Sequence, residues 1–184
     1  MLIETTPLAG VKLIVPKKFA DQRGYFSETY NREALLQAGI AVDFVQDNQS
    51  CSATVGTIRG LHFQSPPFAQ DKLIRVLRGR ILDVTVDLRR SSPTYGQHFA
   101  AELSAENFKQ MFVPVGFAHG YCTLEPDTEI FYKVSNFYAP QHDHGLAWND
   151  PALGIPWPVR GDAAILSDKD RRHPRLADLA LQFE

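Results

Sequence analysis

Between Leu73 and Leu88 the chain reads as two extended arms joined by a tight turn, and no other stretch narrows the fold so much. Leu73-Ile74-Arg75-Val76-Leu77 is followed by Arg78-Gly79 and then by Arg80-Ile81-Leu82-Asp83-Val84-Thr85-Val86-Asp87-Leu88, the pattern of a hairpin with glycine at its turn. In the second arm Leu82, Val84, Val86 and Leu88 share one face, and Asp83, Thr85 and Asp87 share the other. That alternation predicts polar side chains lining an interior, and a closed antiparallel barrel with a polar mouth is a natural ligand container. Further strand-like runs fall at Val11–Val15, Phe44–Gln46, Phe99–Leu103, Lys109–Val113 and Glu129–Tyr138. Twelve prolines and twelve glycines separate these short runs, which favours a mainly β sandwich or barrel over a βαβ fold. One short helix is expected, capped by Asn31, running through Arg32-Glu33-Ala34-Leu35-Leu36-Gln37-Ala38 and stopped by Gly39. With no repeat, linker or low-complexity segment, residues 1–184 are read as one domain.

The bulk properties exclude more than they assign. Apolar residues make up 44% and charged residues 22%, close to the average soluble protein. A net charge of −2 gives no electrostatic footprint for nucleic acid or an anionic membrane. No stretch approaches the roughly 20 apolar residues of a membrane-spanning helix. Met1-Leu2-Ile3-Glu4 carries an early acid and lacks the basic start of a secretory signal. Cys51 and Cys122 are far apart and in no metal-ligand spacing, so two free thiols in a reducing cytoplasm are expected.

The densest chemical segment is Ile58-Arg59-Gly60-Leu61-His62-Phe63-Gln64, followed by Ala69-Gln70-Asp71-Lys72. On a regular strand Gly60, His62 and Gln64 point one way, and Arg59 and Leu61 the other. His62 is the side chain type most easily tuned to exchange protons near neutral pH, although a lone histidine is more often a structural residue. His119, in Val113-Pro114-Val115-Gly116-Phe117-Ala118-His119-Gly120, is similar to the second metal motif of the cupin barrels. The first cupin motif wants His-x-His and then a carboxylate. Gln64 replaces the second of those histidines, and Lys72 stands where the acid is expected, so an ammonium would oppose a divalent cation. A cupin-type jelly-roll barrel with a few short helices and no cupin metal site is the expectation.

Other signals are weaker. Arg23, in Asp21-Gln22-Arg23-Gly24-Tyr25-Phe26-Ser27-Glu28, offers a planar fork suited to phosphate, and equally reads as a solvated surface residue. Gln46-Asp47-Asn48-Gln49-Ser50 reads as a polar cluster at a strand end, able to pair with a base or sugar edge or to close a turn. Tyr132 and Tyr138 lie an even number of positions apart and would share a face of one strand, where tyrosine usually packs in the core with a wet tip. Leu166-Ser167-Asp168-Lys169-Asp170 reads as a strand ending in an acid able to orient a histidine.

Taken in order, these residues resemble the dTDP-4-dehydrorhamnose 3,5-epimerases. The resemblance runs from Asp21-x-Arg23-Gly24-x-Phe26-x-Glu28 through Gln46-Asp47-Asn48, Arg59-Gly60-Leu61-His62-x-Gln64 and Ala69-Gln70-x-Lys72. It continues through Gly79-x3-Asp83-Val84-x-Val86-Asp87-Leu88-Arg89, Phe117-Ala118-His119-Gly120, Tyr132-Lys133 and Trp148-Asn149-Asp150-Pro151 to Ser167-x-Lys169-Asp170. No tripeptide decides it, but the ordered set covers nearly the whole chain. The resemblance implies His62 as base, Asp170 as its orienting partner, Tyr132 as acid on the opposite face of the sugar, and Lys72 as the stabiliser of an enolate oxygen. It also implies Arg23, Arg59 and His119 on a pyrophosphate, and Phe26, Glu28, Gln46, Asp47, Asn48, Gln64, Tyr138, Asp143 and Lys169 among the substrate contacts. Asp143 departs from the glutamate the family often carries. The implied reaction needs neither cofactor nor metal. The implied assembly is a homodimer with exchanged N-terminal strands, with no nucleic acid and no membrane as partner. A single-centre (C3 or C5) epimerase, a 3,4-ketoisomerase, a non-catalytic sugar-nucleotide-binding cupin and a metal-dependent cupin enzyme are the competing readings.

Overall fold

The computed structural model describes residues 1–180 and 183. In chain order its strands are β1 (Leu2–Thr5), β2 (Lys12–Val15), β3 (Phe19–Asp21), β4 (Gly24–Phe26), β5 (Gln46–Ser52), β6 (Ile58–Gln64) and β7 (Lys72–Arg78). They continue with β8 (Arg80–Asp87), β9 (His98–Ser104), β10 (Gln110–Val113), β11 (Phe117–Thr123), β12 (Thr128–Val134) and β13 (Asp143–Gly145). A six-stranded sheet in the order β1-β2-β10-β7-β12-β5 faces a five-stranded sheet in the order β13-β6-β11-β8-β9, and β3 and β4 form a separate small ribbon. Pairing within both large sheets is antiparallel. This is the expected mainly β jelly roll. Its helix α1 (Arg32–Gln37) begins where Asn31 accepts a hydrogen bond from the Ala34 amide, and the remaining helical segments are single 3-10 turns.

The two arms around Gly79 are strands, but they are not a hairpin. β7 pairs with β10 and β12, whereas β8 pairs with β11 and β9, so Gly79 carries the chain from one sheet to the other. Gly79 has φ +79°, and a Cβ there would collide with the Thr128 side chain. The alternation in β8 holds with both faces covered. Val84 and Val86 pack outward under the C-terminal segment with Leu61, Ala118 and Leu146, while Asp83, Thr85 and Asp87 are fully buried. The main core lies between the sheets and draws Ile74, Val76, Ile81, Leu103, Met111 and Ile130 from both.

Three other expectations shift. The polar run at 46–52 is itself a strand, because β5 pairs with β12 from Val134↔Gln46 to Thr128↔Ser52. The Glu129–Tyr138 run ends as a strand at Val134, which places Tyr138 on a loop, from which it still reaches a hollow that Tyr132 lines. Leu166 to Asp170 is not a strand either, and Asp170 opens a 3-10 turn.

Candidate active site

The mouth of the barrel holds a cavity of about 430 Å³ whose polar lining includes Arg59, His62, Lys72, His119, Tyr132 and Asp170. A second hollow of about 370 Å³ shares His62, Lys72, Tyr132 and Lys169 and adds Gln46, Asn48, Gln64, Tyr138 and Asp143. The walls come from opposite sheets. His62 on β6 and His119 on β11 are cross-strand partners in the five-stranded sheet, while Lys72 on β7 and Tyr132 on β12 belong to the six-stranded sheet.

A bulge decides which β6 side chains reach the cavity. His119 pairs with His62 and Tyr121 with Arg59, so three steps along β6 span two along β11. Strict alternation puts Arg59 and His62 on opposite faces, whereas the extra residue brings both to the same cavity. Gly60 and Gly120 permit the close strand approach this needs. A Cβ on Gly60, at φ +130°, would lie 2.6 Å from the Gly120 Cα.

Each histidine is held by a buried carboxylate. His62 Nε2 lies 2.5 Å from Asp170 Oδ1, and Asp170 is 4% exposed. His119 Nε2 lies 2.6 Å from Asp83 Oδ1 inside the barrel. Such a bond fixes the tautomer and leaves the second ring nitrogen for other work. Burial pushes the Asp170 carboxyl up, but the His173 and His62 imidazoles beside it more than offset this and hold it well below the usual range. Lys72 donates to Gln70 Oε1 at 2.9 Å, and its desolvated position pulls its pKa down to about 8. Burial, helped by neighbouring Tyr121, pushes the Tyr132 phenol up, so it keeps its proton.

The remaining expected residues divide by place. Gln46 and Asn48 line the second hollow, whereas Asp47 points away between them and pairs with Lys133 at 2.8 Å. Arg59 reaches Ser52 Oγ at 3.1 Å and the Cys51 carbonyl at 3.2 Å. Asp143 accepts from the Tyr138 hydroxyl at 3.0 Å and pairs with Lys169, linking three of the expected contacts, and that bond pushes the Tyr138 phenol up. Gln64 is buried, with its amide donating to the Phe68 and Phe137 carbonyls and accepting from the Ala139 amide. Arg23, Phe26 and Glu28 are not at this cavity. They lie on or just after the exposed β3–β4 ribbon, where the Arg23 side chain is 84% exposed and pairs with Asp21.

Sequence reasoning left out Tyr121 and His173, and it named Ser50 only within the polar run from Gln46. Tyr121 and Ser50 bond each other at 3.1 Å in the cavity wall, and Asp83 enters as the partner of His119. Their signals were present, in the polar face of β8 and the even positions of β5, but no local pattern says that these faces meet. The cupin metal position does not fit a metal, since the Gln64 amide is spent on backbone groups and the Lys72 ammonium stands among the would-be ligands.

A jelly-roll barrel whose opposed walls present a carboxylate-held histidine, a protonated tyrosine and a half-buried lysine is a cupin-type fold equipped for acid–base chemistry. Comparison with known proteins sharpens that class. The family model described as dTDP-4-dehydrorhamnose 3,5-epimerase matches residues 5–178. A protein of that name from Sinorhizobium fredii is 52% identical over 185 residues, covering 100% of this chain and 94% of the relative. The crystal structure of the Bacillus anthracis dTDP-4-dehydrorhamnose 3,5-epimerase, with TDP and PPi bound, is 52% identical with a TM-score of 0.92, covering 95% of this chain and 98% of that one. The Legionella pneumophila dTDP-6-deoxy-D-glucose-3,5-epimerase, in complex with dTDP-4-keto-L-rhamnose, is 40% identical with a TM-score of 0.92, covering 97% and 94%. The chain belongs to the dTDP-4-dehydrorhamnose 3,5-epimerase family.

Proposed function

We propose that the protein inverts C3 and C5 of dTDP-4-dehydro-6-deoxy-D-glucose, forming dTDP-4-dehydro-L-rhamnose for dTDP-L-rhamnose biosynthesis. The observation that carries this reading is the placement of His62 and Tyr132 on opposite walls of one cavity that also holds Lys72. The 4-keto group acidifies the hydrogens at C3 and C5. His62, with Nε2 tied to Asp170, takes the proton through its other ring nitrogen, leaving an enolate whose charge gathers on O4. The Lys72 ammonium meets that oxygen in a desolvated site, where one such donor contributes a few kcal/mol. Tyr132 then delivers a proton from the other side, which inverts the centre. No electron pair leaves the substrate and no redox partner is consumed.

Arg59 and His119 are placed to hold the pyrophosphate, and Gln46, Asn48, Tyr138, Asp143 and Lys169 to meet the nucleoside and sugar. Arg23, Phe26 and Glu28 act from a ribbon that crosses to a second copy in a homodimer with exchanged N-terminal strands. The exposure of Phe19, Tyr25 and Phe26 on that ribbon supports the assignment. None of the described helices is long and apolar enough to cross a membrane, and the reaction is assigned to the cytoplasm, with residues 1–184 acting as one domain.

Incubating the protein with dTDP-4-keto-6-deoxyglucose in deuterated water, with proton NMR at C3 and C5, tests the reading. Deuterium at both carbons is expected, and His62→Ala should slow exchange by about 10²–10⁴-fold. Exchange at one carbon would make the protein a single-centre epimerase, and near-native exchange in His62→Ala would refute the base assignment.

A further inference from the structure

His173 is a buried histidine for which the proposed reaction has no use. Its side chain is 8% exposed, and its Nε2 has no hydrogen-bond partner. That nitrogen nevertheless faces the carboxylate that holds His62, 3.3 Å from Asp170 Oδ1 but misaligned for a hydrogen bond. The His62 ring stands edge-on to the His173 ring at 5.5 Å between centroids. Gly145 of β13, the cross-strand partner of His62, provides the seat, because a Cβ there would overlap the His173 ring. Three ligand atoms, one each from His62, Asp170 and His173, lie within 4.8 Å of one another.

We propose that His62, Asp170 and His173 form a site for a divalent transition metal, zinc above all, and that occupying it switches the proposed epimerase off. Zinc takes imidazole nitrogen and carboxylate oxygen at about 2.0–2.2 Å, which sets neighbouring tetrahedral ligands on the order of 3.4 Å apart. The Asp170–His173 pair already has that spacing at 3.3 Å, and the His62–Asp170 pair opens from 2.5 Å to reach it. Two imidazoles and one carboxylate leave a fourth position for water, facing either the barrel cavity or the outer hollow lined by Arg172 and His173. Of the cations near the triad, Lys169 is paired with Asp143, while Lys72 in the barrel cavity and Arg172 in the outer hollow oppose the metal and are outweighed only by direct coordination to the Asp170 carboxylate. Metal on His62 Nε2 puts the imidazole proton on the other ring nitrogen, the one that the proposed function uses as base. The inhibition therefore rests on that reading, whereas the binding does not.

The test titrates wild-type protein with Zn²⁺ by calorimetry in the absence of substrate, repeated with Co²⁺ to read tetrahedral coordination from its visible absorption. A Cys51→Ser background removes an exposed competing thiol. His173→Phe fills the seat without offering a ligand, and His173→Gln serves where the larger ring disturbs folding. One zinc per chain is expected in wild type, with C3 and C5 exchange suppressed in parallel and restored by EDTA. The His173 variants should bind at least roughly 10–100-fold more weakly, the cost that even a lost indirect partner imposes. Equal zinc affinity in wild type and both variants, or no binding by wild type at tens of micromolar, would overturn the site. Binding that needs His173 but leaves exchange untouched would uphold the site and overturn the base assignment instead.

Discussion

Replacing Lys72 with methionine should stabilise the protein while disabling it, and both effects can be worked from the site. Burial lowers the Lys72 pKa from 10.5 to about 8. At 1.36 kcal/mol per tenfold, keeping that charge in the folded chain costs about 3 kcal/mol at pH 7. Methionine has similar length and removes the charge, but it leaves Gln70 Oε1 without its donor, a loss of about 1 kcal/mol. The expected net gain is about 2 kcal/mol. Because the folded chain holds this proton less tightly than the unfolded chain, the penalty is complete below about pH 8. It fades as pH rises from about 8 to 10.5 and is gone once the unfolded chain has lost the proton too. Urea unfolding of both proteins at one protein concentration should therefore show the variant more stable at pH 7, with the gap closing toward pH 10.5. Exchange at C3 and C5 should fall by about 10²–10³-fold, as for loss of one donor to a developing oxyanion. A variant less stable than wild type at pH 7, or a gap indifferent to pH, would show that Lys72 is not a desolvated cation, and near-native exchange would show that it does not meet the enolate oxygen.

Two further changes test the frame around the site. Gly60→Ala forces a Cβ to within 2.6 Å of the Gly120 Cα and 2.9 Å of the His119 carbonyl at φ +130°, so β6 and β11 must part where they carry His62 and His119. We expect a loss of about 3 kcal/mol or more, read as a lowered Tm, together with reduced exchange. Burial pushes the Asp87 carboxyl up, but bonds from Arg89, Ser92 and Thr94 overcome this and bring it down to about 2. The stability it contributes is present above pH 3.8 and is lost as pH falls toward 2. Asp87→Asn should cost about 3 kcal/mol in urea unfolding at pH 7 and cost progressively less in that acid window.

Local chemistry determined much of this protein. Alternation in Arg80–Asp87 named a strand with a polar face, and Asn31 and Gly39 bounded the helix, whereas it was the family resemblance that implied His62, Lys72, Tyr132 and Asp170 as one set. Those signals are legible because side-chain period and capping depend on neighbours in sequence. Which strands pair does not. A turn glycine between two alternating arms serves a hairpin and a sheet-to-sheet corner equally well, and only the competition of β10, β11 and β12 for partners sends β7 and β8 into different sheets. The same nonlocal pairing inserts the β6 bulge that turns Arg59 toward His62, stops β12 at Val134 and frees Tyr138 to meet Asp143. It brings His119 onto Asp83, and it closes His173 against Gly145 beside Asp170. Contacts between residues distant in sequence are set by packing and register across the barrel, and those quantities exist only once the chain has folded.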